Sequence, residues 1–95
     1  RKLSAAEAVD WGLITRVCRA EKLMEETREL AQQLASGATQ AIGTVKKQLL
    51  VSFDNSPEAQ MVLEGKAISH LASCKDGQEG IQAFLQKRRP VFAGQ

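Results

Sequence analysis

No apolar run in this sequence is longer than a few residues, so no segment of it suits a bilayer-spanning helix. No secretory leader is visible. There is one histidine, and the two cysteines, Cys18 and Cys74, have no CxxC spacing. This excludes the common zinc-site patterns and leaves both thiols expected to be reduced, which favours a cytosolic or organelle-matrix setting. A glycine-rich phosphate loop is missing, as are internal repeats, low-complexity stretches and Gly/Ser linkers. The net charge of +2 is too small to argue for a polyanionic partner.

What is present is ordinary globular composition. Apolar residues make up 43% and charged residues 25%, which argues against a disordered chain. The length of 95 residues allows one small domain. A compact monomer of this size buries roughly 60–65% of its unfolded surface. Ordering costs about 1.5 kcal/mol per residue, which burial at about 25 cal/mol per Å² only roughly offsets. An open layer of helices would do worse, so additional covering surface is expected. The chain opens on Arg1 rather than Met, and it is expected to belong to a longer polypeptide.

The helix punctuation is clear. Ser4-Ala5-Ala6-Glu7 forms a capping box for a short first helix through Ala8, Val9 and Trp11, with Gly12 as its stop. Leu13–Cys18 alternates and is β-branched, predicting an extended segment or short edge strand. A second helix is predicted over about Glu21 to Ser36, with Leu23, Met24, Thr27, Leu30, Ala31 and Leu34 on one stripe and Glu21, Glu25 and Glu26 near its positive dipole end. A third runs from about Thr39 to Ser52, with Ala41, Ile42, Val45, Leu49 and Phe53 as its buried face. Ser56 caps a fourth helix, Pro57 to Ser73, with proline at the first position, where its missing N–H costs nothing. Asp76 to Glu79 reads as an acidic variant of the capping box opening a fifth helix. Ile81, Phe84 and Leu85 form its apolar face, Lys87, Arg88 and Arg89 complement its negative end, and Pro90 stops it. The tail Val91–Gln95 carries two apolar anchors expected to dock.

Chemistry is sparse. His70 lies mid-helix beside Ser69 and Ser73 without an acid or an oxyanion loop, a weak basis for nucleophilic catalysis. Glu64 and Glu79 are carboxylates for acid–base work only in principle; Glu79 already has a capping role, and Glu64 suits a solvated helix face. Trp11 suits a core position and Lys46-Lys47 a solvated face. Lys87-Arg88-Arg89 could hold a phosphate, against the alternative of dipole complementation and solubility. The cluster is too short for nucleic acid and lacks interleaved aromatics.

The pieces together resemble the crotonase superfamily. Leu3-Ser4-Ala5-Ala6-Glu7-Ala8 with Trp11-Gly12-Leu13-Ile14 and Val17 is similar to one family stretch. Leu30-Ala31, Ala35-Ser36-Gly37, Lys46 and Leu49-Leu50 are similar to a helix pair. Asp76, Glu79-Gly80, Ala83-Phe84, Lys87-Arg88, Pro90 and Phe92 are similar to the closing run, the most specific of the three. The resemblance covers essentially the whole chain in order. It implies an all-α C-terminal region of about five helices from an enoyl-CoA hydratase/isomerase-type enzyme, acting on acyl-CoA thioesters in fatty-acid or aromatic-acid catabolism. The catalytic ββα-spiral domain, with its backbone oxyanion site and acidic proton carriers, would lie upstream. No catalytic residue is expected in these 95 residues, no metal, and no cofactor beyond the coenzyme A of the substrate. The implied partners are the protein's own N-terminal domain and a homotrimer or dimer of trimers, with no nucleic acid and no membrane. By this resemblance Lys87 contacts the CoA nucleotide near its 3′-phosphate, Ile68 replaces an aromatic residue near the adenine, and Arg88 and Arg89 are secondary candidates. A bacterial cytoplasmic setting is expected, with mitochondrion or peroxisome as alternatives. The competing reading is a non-catalytic helical oligomerisation module of a crotonase-like protein.

Overall fold

Ser4 shows how the first helix begins. Its hydroxyl accepts the Glu7 amide at 3.2 Å, while its own amide donates to the Glu7 carboxylate at 2.9 Å. This reciprocal cap starts α1, Ala5–Asp10, in a computed structural model that describes all of residues 1–95. A turn of 3-10 helix, Ala20–Lys22, leads into α2, Leu23–Ser36; α3 is Thr39–Val51, α4 is Pro57–Ser73 and α5 is Lys75–Leu85. No strand is present, so the architecture is all-α. The chain divides into two units, Arg1–Ala31 and Gln32–Gln95.

Within the first unit, α1 ends on a Schellman motif. Gly12 adopts φ +70°, its amide donates to the Val9 carbonyl at 2.9 Å, and the Leu13 amide reaches back to Ala8 at 2.9 Å. The predicted extended segment at Leu13–Cys18 is not a strand. The Leu13 and Ile14 amides both donate to Ala8 instead, so they close the helix end rather than a ladder. Ala8 is buried, whereas Trp11 is 61% exposed with the Arg1 guanidinium 5.6 Å from its ring centroid, not in a core.

Within the second unit, α4 packs against both α3 and α5. The Ser56 hydroxyl accepts the Ala59 amide at 3.1 Å, with Pro57 at the first helical position. Cys74 closes α4 and opens α5: its thiol donates to the Leu71 carbonyl at 3.0 Å and accepts the Gly77 amide at 3.3 Å. The predicted acidic capping box at Asp76 is therefore corrected, because the cap is the thiol two residues earlier. A β-carbon on Gly77 would collide with the Leu71 carbonyl oxygen, so only glycine lets the two helices turn this tightly.

The helical stripes are where the sequence places them, but they are not covered within the chain. Leu30 and Leu34 of α2 are 42% and 50% exposed; Phe53, just past α3, is 99% exposed, and Phe84 of α5 is 83% exposed. The buried set is Ala8, Asp76 and Ala83. The chain leaves 8058 Å² accessible, about half as much again as a compact monomer of this mass. No helix is long and apolar enough to cross a membrane.

Candidate functional site

The polar chemistry of the second unit is concentrated where α5 meets the C-terminal tail. Asp76, buried in the first turn of α5, accepts the Ala93 amide on Oδ1 and the Gly94 amide on Oδ2, both at 2.8 Å. Its own amide donates to the Gln95 carbonyl at 2.7 Å. One turn later Glu79 takes both terminal nitrogens of Arg88, at 2.6 and 2.9 Å, and the Val91 amide at 2.9 Å. Gly80 lies under the Phe92 ring, where a β-carbon would sit 3.7 Å from it. The tail thus docks through Phe92, while Val91 stays 78% exposed.

These contacts set the electrostatics. The Arg88 fork, followed by the Val91 amide, holds the Glu79 carboxyl down at about 2, and Glu79 in turn raises the Arg88 guanidinium. In the first unit the Ser4 amide and then the Arg1 guanidinium hold Glu7 at about 2.

The end of α5 repeats the Schellman pattern of α1. The Lys87 amide donates to Phe84 at 3.2 Å and the Arg88 amide to Ala83 at 3.0 Å, but the residue in the left-handed position is Lys87, at φ +54°. The three cations lie just beyond the helix rather than in its last turn. Lys87 is exposed, and its ammonium makes no hydrogen bond or ion pair within the chain. Arg88 is engaged throughout: Nε donates to Gln86 at 2.7 Å and Nη1 also reaches the Arg89 carbonyl at 3.3 Å. Arg89 is exposed, and Ile68 is 69% exposed on α4.

The other candidates gather into no catalytic group. The Ser73 hydroxyl donates to the His70 backbone carbonyl at 2.7 Å, not to the imidazole. Glu64 accepts from Gln60 at 3.0 Å as the end of a relay from Asn55. An apolar groove of about 400 Å³ is lined by Ala38, Ala41, Leu71, Ile81, Phe84 and Phe92; the one carboxylate beside it, Asp76, is occupied by the tail amides. The structural roles of Asp76 and Glu79 escape local pattern reading, because their partners lie 9 to 18 residues away. Their i, i+3 spacing, which puts two carboxylates on one helix face, is the available signal.

Comparison with known proteins gives a consistent picture. The profile of the enoyl-CoA hydratase/isomerase family matches residues 1–95. A carnitinyl-CoA dehydratase of Salmonella typhi is 38% identical over 99 residues, covering 99% of this chain and 38% of that protein. Among solved structures, an enoyl-CoA hydratase subunit from Geobacillus kaustophilus is similar at a TM-score of 0.91 and 38% identity, over 98% of this chain and 36% of the other. A Bacillus anthracis enoyl-CoA hydratase is similar at a TM-score of 0.88 and 30% identity, over 100% and 37%. The chain spans somewhat more than a third of the length of these relatives.

Proposed function

This chain belongs to the enoyl-CoA hydratase/isomerase family, and from that premise we propose that it is the C-terminal helical region of an enzyme that adds water to, or removes it from, an acyl-CoA thioester. The observation that carries this reading is the family match over all 95 residues. The names of its relatives, a dehydratase and hydratases of CoA thioesters, favour water chemistry over other reactions. The oxyanion donors and proton-carrying carboxylates would be supplied by the remainder of a longer polypeptide. The apolar faces left open on α2, α3 and α5 supply what docking against that remainder and against other subunits of a trimer would need.

In this reading the helical region also closes over the nucleotide end of coenzyme A, whether of its own subunit or a neighbour's. Lys87, exposed and unpaired on a turn, contacts the 3′-phosphate. Arg88 is committed to Glu79, and Ile68 offers an apolar rather than a stacking surface. The full-length enzyme is expected to hydrate an enoyl-CoA. Its Lys87→Ala variant is expected to bind CoA about fivefold more weakly, the effect of roughly 1 kcal/mol for one partly exposed charge pair, with dephospho-CoA unchanged. Equal losses for both ligands would remove the phosphate contact. Absence of turnover with any enoyl- or hydroxyacyl-CoA would favour a non-catalytic helical module instead.

A further inference from the structure

We infer that Glu79 is a positioning residue for Lys87, the strut that holds a strained turn so that one ammonium stands free. This rests on the reading of Lys87 as the phosphate contact. Lysine gives no help in reaching φ +54°; the left-handed region is disfavoured for any residue with a β-carbon, and glycine is the usual occupant. The conformation therefore persists only if its surroundings over-determine it.

Those surroundings converge on Glu79. One of its oxygens binds Arg88 and the Val91 amide together, and the other binds Arg88 again, so the residues that follow Lys87 are fastened back onto α5. From the other side the Gln86 side chain takes Arg88 Nε at 2.7 Å, so the residues flanking Lys87 are linked to each other. The fork-to-fork geometry fixes direction as well as distance. With its carboxyl held at about 2, Glu79 stays ionised and the strut stays closed throughout the neutral range. Of the three adjacent cations, Arg88 is neutralised internally, whereas Lys87 and Arg89 make no ion pair within the chain, and Lys87 is the one at the strained position.

The test uses the full-length enzyme and the pair CoA and dephospho-CoA. Glu79→Gln is expected to erase most of the about fivefold phosphate-dependent affinity assigned to Lys87, with dephospho-CoA binding unchanged. The double variant Glu79→Gln/Lys87→Ala is expected to bind CoA no more weakly than Lys87→Ala alone. Arg88→Lys, which keeps the charge and breaks the fork, should repeat the Glu79→Gln result and stands in for it if that variant does not fold. Four outcomes overturn the inference: full CoA preference in Glu79→Gln, losses that multiply in the double variant, equal loss of both ligands in Glu79→Gln, or a Lys87→Ala variant that has itself lost nothing. The last alone also overturns the phosphate reading.

Discussion

Two helices of this chain end in the same motif with opposite residues at its centre. α1 closes with Gly12 in the left-handed position, and α5 closes with Lys87 there; the two backbone bonds that define the motif are the same at both ends. Gly12 is what helix-ending physics selects. Lys87 is a departure that costs about 1–2 kcal/mol of backbone strain. The α5 end is also the one that is braced, by Arg88–Glu79 and by the tail held on Asp76, whereas α1 ends with one further amide, that of Ile14, on the Ala8 carbonyl and no comparable clamp. On the proposed reading of Lys87, this strained and braced position exchanges stability for presentation of a side chain.

The brace is the first thing to break. In the full-length protein, Asp76→Ala removes a buried acceptor of two tail amides, a loss of about 3 kcal/mol. Exchange of the Ala93 and Gly94 amides should then accelerate roughly 150-fold, with the Leu13 amide at the α1 end unaffected. Slow exchange at Ala93 and Gly94 would mean that other contacts hold the tail.

Gly12→Ala places a β-carbon in the left-handed region at the unbraced end. Open space surrounds it, with nothing within 4 Å, so the whole effect is backbone strain, about 1–2 kcal/mol. Faster exchange at Leu13 and Ile14 is expected. If the change is tolerated without effect, α1 has the same reserve as α5, and the contrast between them is lost.

Acid should weaken both ends by a smaller amount. Glu7 and Glu79 titrate at about 2 in the folded chain against 4.5 for the free side chain. A depressed carboxylate contributes stability in full above about 4.5, and that contribution fades as the pH falls from there towards about 2. Both groups reach solvent, so salt should shrink the effect. Glu7→Gln and Glu79→Gln should each flatten the loss of helix between about pH 4.5 and 2, followed by circular dichroism. An unchanged acid profile in both variants would show that other carboxylates govern it.

Much of the fold could be read from local chemistry. The Ser4–Glu7 box and the Ser56-Pro57 start involve partners within three residues, and α4 spans the predicted Pro57–Ser73. The errors have physical causes. Leu13–Cys18 has the alternation of a strand, but a strand needs a partner, and the first of its amides were taken by the helix before it. Asp76 and Glu79 have cap-like spacing, but their ligands arrive from the tail. The apolar stripes show which face of each helix is to be covered but not by what, and residues such as Phe53 and Phe84 remain open in this chain. Gly12 announces a left-handed turn by its identity. Lys87 announces nothing; the strain there is visible only in the backbone.

The most direct measurement takes Lys87→Gly in the full-length enzyme and follows both stability and ligand binding. Glycine relieves the strained φ at a smaller cost in chain entropy, so resistance of the α5 end to local opening should rise by about 0.5–1 kcal/mol. CoA affinity should fall about fivefold with dephospho-CoA unchanged. A variant that is less stable at that turn, or that binds CoA as tightly as the parent, would contradict the claim that Lys87 is held under strain to present its charge.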